Sequence, residues 1–237
     1  MSNRNERANQ YEGDEANSNY SLSSSLKECA LSEFRLAADD RCRGLNEQLR
    51  TEDNHWSPHA LGSILLLVAA LEAWTGELIP SIKADKKIVI ENSSVSYRLR
   101  KICKEVFRVD SLCVKNLDIL VGVRHEIAHH LPRKIVSPEG NRLSVPTWLE
   151  ELETENLLVE QMVFPQNLAS YCLARWSFQV VHKLMDELDE CMGESSESDE
   201  VREVARGQLD LFKFKLSSTV ETIELPECPQ WEASGNN

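Results

Sequence analysis

Three of the six histidines of this chain lie beside an arginine in a single stretch, VGVRHEIAHH, from Val121 to His130. His125 and His129 are four residues apart, so on a helix they lie about 40° from each other, with Arg124 next to the first of them. Arginine can stabilise the negative charge that develops on a phosphate, and histidine can move protons near neutral pH. The combination is suited to cleavage of a phosphodiester bond without a metal ion.

Arg124 also falls on a predicted apolar stripe. Helical steps through this segment give Cys113, Leu117, Leu120, Arg124, Ile127 and Leu131. A guanidinium on a packed face needs a partner, because burying it alone would be strongly unfavourable. We expect that partner to be supplied by another chain, by a substrate phosphate in a cleft, or by a core carboxylate such as Glu72.

The same letters allow a second chemistry. HEIAH, from His125 to His129, matches the H-E-x-x-H pattern, in which two histidines bind zinc and the glutamate, here Glu126, acts as general base. Such a site needs a third ligand, and the acidic candidates downstream are Glu150, Glu151 and Glu153. A zinc peptidase is therefore the alternative enzyme class.

Helical patterns surround this motif and would position it. Predicted helices run from Leu26 to about Arg50, from Ser57 to Pro80, from a cap at Asn92 to Ser94 through Phe107, from near Asp110 to Pro132, and through a long stretch after Pro165. The predicted fold class is all-α, a bundle of four to five helices. The predicted organisation is a disordered tail (1–25), a helical domain (26–192), and an acidic linker with an accessory helix and tail (193–237).

Charge is distributed unevenly along the chain. The 26 Lys and Arg residues against 39 Asp and Glu residues give a formal charge of −13, which argues against a general cationic nucleic-acid coat. Between residues 81 and 142, however, 13 basic residues face only seven acidic ones. A local polyanion site is therefore expected there, and the predicted RNA-binding residues are Arg98, Lys101, Lys104, Arg133 and Lys134.

The sequence also predicts a cytoplasmic protein with no membrane segment. The most apolar run, Ile64 to Leu71, is shorter than the roughly 20 apolar residues that a membrane-spanning helix needs. The first 25 residues contain no apolar stretch typical of an export signal. The seven cysteines include no Cys-x-x-Cys pair, which is typical of scattered reduced thiols.

The motif and its context resemble the HEPN superfamily of all-helical proteins. Ribonuclease members carry an arginine, a polar residue, three variable residues and then a histidine, and here these are Arg124, His125 and, after three residues, His129. Asparagine is commonest in the second place, so His125 departs from the usual pattern. The segments LEAWTGEL and LASYCLARW add to the likeness, which covers roughly residues 60 to 190 and is nearest to the RiboL-PSP type.

The resemblance implies a homodimer whose two motifs face a shared cleft and cleave RNA to a 2′,3′-cyclic phosphate without a cofactor. Arg124 would stabilise the scissile phosphate, His129 would be the acid or base, and His125 would assist. His130 could substitute for a histidine, and Glu72 and Glu126 would play supporting roles. Many such proteins are toxins or phage-defence effectors with a cognate antitoxin or defence partner, and other members bind nucleic acid or proteins without cleaving.

Overall fold

Seven α-helices and no strand make up the part of the chain that the computed structural model describes, which confirms the all-α class. The described residues are 21–46, 56–81, 94–108, 115–129, 146–159, 162, 164–195 and 198–213. The helices are α1 (Leu22–Asn46), α2 (Pro58–Ser81), α3 (Val95–Ile102), α4 (Lys115–His129), α5 (Thr147–Thr154), α6 (Tyr171–Glu194) and α7 (Asp199–Phe212). A π-helical turn at Cys103–Phe107 extends α3, and a 3-10 turn at Gln166–Leu168 precedes α6.

The central element is α2, which contacts α1, α3, α4, α6 and α7. Pro58 stands in its first turn, where the missing amide hydrogen has no helical partner to lose, so the predicted start is confirmed. The predicted stop at Pro80 is also confirmed to within one residue. Fully buried apolar side chains point from α2 toward its neighbours, among them Ile64, Leu67, Leu71 and Leu78.

By length and composition, the stretch Pro58–Pro80 could also cross a membrane. The stretch has 23 residues and a mean hydropathy of 1.5. Half of the 18-residue window that was compared with a membrane span is buried inside the protein. Its buried hydroxyl groups donate hydrogen bonds within the helix, from Ser63 to the carbonyl of Ala60 and from Thr75 to the carbonyl of Leu71. The apolar run Ile64 to Leu71 thus belongs to a longer apolar helix, and the contacts of that helix make it the core of the bundle.

The first helix begins earlier than the sequence pattern predicts. α1 starts at Leu22 and not at Leu26, so the predicted disordered tail (1–25) extends too far, while residues 1–20 lie outside the described residues. The cause is the carboxylate of Glu77 on α2, which accepts hydrogen bonds from the hydroxyl groups of Ser21 and Ser23, each 2.7 Å, and from the Ser23 amide, 3.1 Å. A carboxylate at a helix N-terminus satisfies free donors and interacts favourably with the helix dipole.

The Glu77 contact predicts a pH-dependent stability. Burial raises the pKa of Glu77, but the hydrogen bonds from Ser21 and Ser23 outweigh burial and leave the pKa below its ordinary value of 4.5. Such a group stabilises the fold above its ordinary pKa, and the stabilisation is lost as the pH falls through the folded-state value. We expect Glu77→Gln to lower the free energy of unfolding at neutral pH, and the difference from the unmutated protein to shrink below pH 4.5. Urea unfolding over a pH series measures this difference in the free energy of unfolding. The control is Glu190→Gln, at an exposed position. A difference between Glu77→Gln and the unmutated protein that does not change with pH would contradict the prediction.

Apolar residues of the third helix recur at helical spacing, which predicts a buried stripe on one side, and the structure confirms it. The Ser94 hydroxyl accepts a hydrogen bond from the Tyr97 amide and caps α3. The stripe is buried along its length, at Val95, Leu99, Ile102, Cys103, Val106 and Phe107. Burial, together with the neighbouring Cys191 of α6, raises the pKa of the Cys103 thiol to about 12. The segment ends at Arg108, whose φ of 60° is left-handed.

The predicted accessory helix is part of the core, so the boundary drawn after residue 192 does not separate it from the helical domain. The α7 side chains Ala205, Leu209 and Phe212 are fully buried in the same hydrophobic cluster as α1, α2 and α6. The ring of Phe212 lies 5.5 Å from that of Trp74 on α2, measured between centroids. The Trp74 indole N–H donates to the carbonyl of Gln208, 3.0 Å away, and so fixes α7 against α2.

Candidate functional site

The motif of Arg124 and His129 lies on α4, which packs against α2, α3 and α6. Leu117, Leu120 and Val123 are buried and hold this helix against the core. The sequence predicts a helix from near Asp110 to Pro132, and the described helix is Lys115–His129. Residues 109–114 and 130–145 lie outside the described residues.

The packed face of α4 is not the one that the predicted stripe describes. From Leu120 the buried face continues to Val123, three residues on, and not to Arg124, four residues on. Arg124 therefore lies at the edge of the packed face, with 29% of its side chain exposed. Both steps are compatible with a period of 3.6 residues, so apolar spacing over a short segment does not separate them.

An ion pair fixes Arg124 at that edge. Its guanidinium donates to the carboxylate of Glu72 on α2, with 3.3 Å between Nη2 and Oε2. The Glu72 side chain is 30% exposed, so the pair is open to solvent on one side. The expected carboxylate partner of Arg124 is thus Glu72.

His125 and His129 form a pair of rings on the exposed side of α4. Their ring centroids are 5.0 Å apart and their planes are inclined by 53°. Both residues are exposed, so their imidazole nitrogens are open to a ligand from solvent. Around the helix axis His129 lies about 140° from Arg124, because the two are five residues apart. Around the helix axis, Arg124 and His125 are about 100° apart. The strip of α4 surface between them carries Val121 and Ala128, which are small or apolar.

Glu126 lies on the packed side of the helix, with 7% of its surface exposed. It is therefore not on the exposed side with His125 and His129, where a zinc peptidase would need its general base. Within the described residues, which include Glu150, Glu151 and Glu153, no three side chains of His, Cys, Asp or Glu come close enough together to hold a metal ion. The zinc alternative lacks an assembled third ligand in that part of the chain.

A side chain of α5, Trp148, packs against α4 two residues before Arg124. The acidic stretch TWLEELETENLL predicts one short helix within 133–164, and α5 confirms it. Trp148 of α5 covers Gly122 of α4. A Cβ atom built on Gly122 would lie 2.8 Å from the Trp148 indole nitrogen. Lys115 and Glu151 add an exposed ion pair of 3.0 Å between the same two helices. The absence of a side chain at Gly122 is thus what leaves room for the Trp148 ring.

We expect opposite effects from two Gly→Ala substitutions in helices. At Gly207 of α7 a Cβ meets nothing within 4 Å, so Gly207→Ala should raise the free energy of unfolding by about 0.5–1 kcal/mol through helix propensity. At Gly122 the added atom forces Trp148 aside, and Gly122→Ala should lower the free energy of unfolding by about 1 kcal/mol. Urea unfolding of both variants measures these changes. An equal increase in the free energy of unfolding at both positions would contradict the close packing of Trp148 on Gly122.

The predicted RNA-binding residues of α3 lie on the outer side of that helix. Arg98 is half-buried, and Lys104 is exposed. Lys101 is 3.8 Å from Glu105, and its ammonium lies 5.8 Å from the centre of the Tyr97 ring. Tyr97 is not among the binding residues predicted from the sequence; its place four residues before Lys101 is the signal that could have identified it.

One contact joins the outer side of α3 to the exposed side of α4. Arg100 donates to Asp118 over 2.8 Å, and both side chains are about half exposed. Asp118 is seven residues before His125, so both lie on the same side of α4. The remaining predicted site residues, His130, Arg133 and Lys134, lie outside the described residues.

Comparison of the chain with protein-family models, with curated proteins and with solved structures finds no match.

Proposed function

We propose that this protein is a metal-independent endoribonuclease with Arg124, His129 and His125 at its active site. The observation that carries the proposal is the exposed imidazole pair on the same helix as a partly exposed guanidinium, which Glu72 fixes in position. A fixed cation and two proton-transfer groups next to solvent are what cleavage of an RNA phosphodiester requires. The same proposal includes a HEPN-like bundle and an effector role, as a toxin or in phage defence.

The reaction uses the 2′-hydroxyl group of the RNA as its nucleophile. One histidine removes the proton of that hydroxyl while its oxygen bonds to phosphorus, and the bond from phosphorus to the 5′-oxygen breaks. A protonated histidine gives the leaving oxygen its proton. The products are a 2′,3′-cyclic phosphate and a free 5′-hydroxyl. Arg124 stabilises the negative charge on the phosphate oxygens in the transition state.

The proposed active form is a homodimer. Since Arg124 and His129 point about 140° apart on α4, one copy presents them to different sides of the helix. A two-fold axis that runs parallel to α4 beside the strip with Val121 and Ala128 would place the Arg124 of one copy beside the histidines of the other. A two-fold interface repeats each contact, so both motifs would face one cleft.

RNA is the proposed substrate because the charge along α3, which packs against α4, is locally positive. Residues 94–108 carry five basic side chains and one acidic side chain, in a chain whose formal charge is −13. The acidic remainder would keep non-specific binding weak, since such binding depends on the number of phosphates neutralised.

A cleavage assay in excess EDTA tests the proposal. The purified chain is incubated with total RNA or tRNA, and the ends of the products are analysed. We expect fragments with 2′,3′-cyclic phosphate and 5′-hydroxyl ends at a rate that EDTA does not change. No cleavage, or cleavage that needs a divalent metal, would contradict the proposal. A zinc peptidase would instead contain about one zinc per chain and lose it on replacement of His125.

The ion pair of Arg124 with Glu72 favours one second candidate, a non-catalytic helical interaction module. In that case the guanidinium already has its partner and has no substrate to bind. Dimerisation and partner binding would then not change on replacement of His129, and no RNA would be cleaved. Sedimentation of the unmutated protein and of His129→Ala, together with the cleavage assay, separates the two candidates.

A further inference from the structure

An aromatic side chain lies exposed among the basic residues of α3. Tyr97 is 49% exposed, whereas the apolar residues before and after it on the helix, Val95 and Leu99, are fully buried. The Lys101 ammonium lies 5.8 Å from the Tyr97 ring centre, within the range of a cation–π contact. Tyr97 is thus a flat, half-exposed ring beside a positive charge.

Positive charge is concentrated around that ring. We use the term α3 basic surface for the outward side chains of residues 94–108, which are Tyr97, Arg98, Arg100, Lys101, Lys104 and Arg108. Glu105 is the single acidic residue in this segment. The ion pairs of Lys101 with Glu105 and of Arg100 with Asp118 are partly or largely exposed, and exposed pairs contribute little and exchange readily for another anion.

We propose that the α3 basic surface binds single-stranded RNA, with one base stacked on Tyr97 and phosphates bound by Lys101 and Lys104. Bases of every type have a face that can stack on an aromatic ring, and the paired bases of a duplex are not free to do so. The combination of a ring and lysines therefore favours a single strand over a duplex. This inference rests on the proposed function and names the form of its substrate.

The α3 basic surface is continuous with the candidate active site. Arg100 reaches Asp118, which lies on the exposed side of α4 with His125. Seven residues of helix separate Asp118 from His125, a rise of about 10 Å. An RNA strand bound on α3 can thus extend along the exposed side of α4 to the histidine pair.

Binding can be measured apart from cleavage. The full-length His129→Ala variant is titrated into a fluorescently labelled single-stranded oligoribonucleotide with 2′-O-methyl groups, which has no nucleophile for cleavage. Adding Tyr97→Ala should weaken binding about tenfold, the effect of losing one stacked base, whereas Tyr97→Phe should keep it. A duplex of the same sequence should bind less tightly than the single strand.

The lysines are tested through the salt dependence of binding. Lys101→Ala and Lys104→Ala should each lower the slope of log affinity against log salt concentration by about one, as expected for loss of one phosphate contact. Lys183→Ala, at an exposed lysine on α6, is the matched control and should leave the slope unchanged.

Two results would overturn the inference while the proposed function stands. One is equal affinity of the Tyr97→Ala and Tyr97→Phe variants, and the other is tighter binding of the duplex than of the single strand. Conversely, tight binding that depends on Tyr97, without cleavage by the unmutated protein, would support the RNA surface and contradict the ribonuclease. Binding of an acidic peptide in preference to RNA would also overturn the inference.

Discussion

Replacing Arg124 with alanine is expected to lower the rate of RNA cleavage by about 10²- to 10³-fold, the usual effect of removing one group that stabilises transition-state charge. Replacing His129 with alanine is expected to lower it by about 10²- to 10⁴-fold, because a general acid or base is lost. Initial rates in EDTA, measured on one RNA substrate, give both values. The effects of replacing residues that act on the same transition state are not independent. The cleavage rate of the double variant should therefore fall by less than the product of the two single effects.

Arg124→Ala also breaks the ion pair with Glu72, so its control must break that pair and keep the guanidinium. Glu72→Gln removes the charge of the pair and leaves an amide oxygen that can still accept a hydrogen bond from Arg124 and hold it in position. We expect this variant to retain cleavage within about a few-fold of the unmutated rate, because an ion pair that is 29% and 30% exposed contributes about 1 kcal/mol or less. An equal loss of cleavage in Glu72→Gln and Arg124→Ala would show that Arg124 acts through the ion pair and not on the phosphate.

For His129 the matched control is His182→Ala. His182 is also a helical surface histidine; its side chain is 40% exposed and is 3.2 Å from Asp186 of the same helix. We expect His182→Ala to cleave RNA at the unmutated rate. If His182→Ala lost cleavage activity as strongly as His129→Ala, the activity lost in His129→Ala would not be evidence for proton transfer at the motif. Thermal melting of each variant checks that the fold is intact.

The largest expected effect on stability comes from Phe212 on α7. Its side chain is fully buried against Trp74, and Phe212→Ala should lower the free energy of unfolding by about 3–5 kcal/mol through lost burial and the cavity left behind. The next residue provides the control, since Leu211 is 60% exposed and Leu211→Ala should change stability by less than about 0.5 kcal/mol. Urea unfolding measures both.

A small effect of Phe212→Ala, similar to that of Leu211→Ala, would restore the sequence interpretation of α7 as an accessory helix. The expected large effect would instead show that α7 is needed for the bundle that positions α4, since α7 packs on α2 and α2 carries Glu72. A side-chain contact agrees with this, because the Lys27 ammonium of α1 donates to the carbonyl of Leu211 at the end of α7.

Local signals in the sequence predicted much of the helical framework. Pro58 marks the start of α2, and Ser94 caps α3, because these residues act on the backbone of their own turn. The Ser57 hydroxyl, by contrast, donates to Asp40 of α1. The buried stripe of α3 was predicted from spacing alone. Glu72 was named as a partner of Arg124 because an arginine near a core needs a carboxylate and α2 carries one.

Contacts between distant segments account for what the sequence pattern missed. The early start of α1 depends on Glu77, more than 50 residues away. The amphipathic pattern of α7 does not show that Phe212 meets Trp74. The place of Arg124 at the edge of the packed face, and that of Glu126 within it, depend on how α4 is rotated against α2 and α6.

By itself, then, the sequence determined the all-α class, most helix positions, and the presence of one arginine and paired histidines on one helix. Those properties follow from periodicity and capping, which act over one or two turns. Only the tertiary structure decided which side of α4 is buried, that Arg124 is paired and the histidines are exposed, and that Tyr97 lies among the basic side chains of α3. These features depend on packing between helices, because successive side chains are about 100° apart around the helix axis, so a shift of the packed face by one residue changes which side chains are buried.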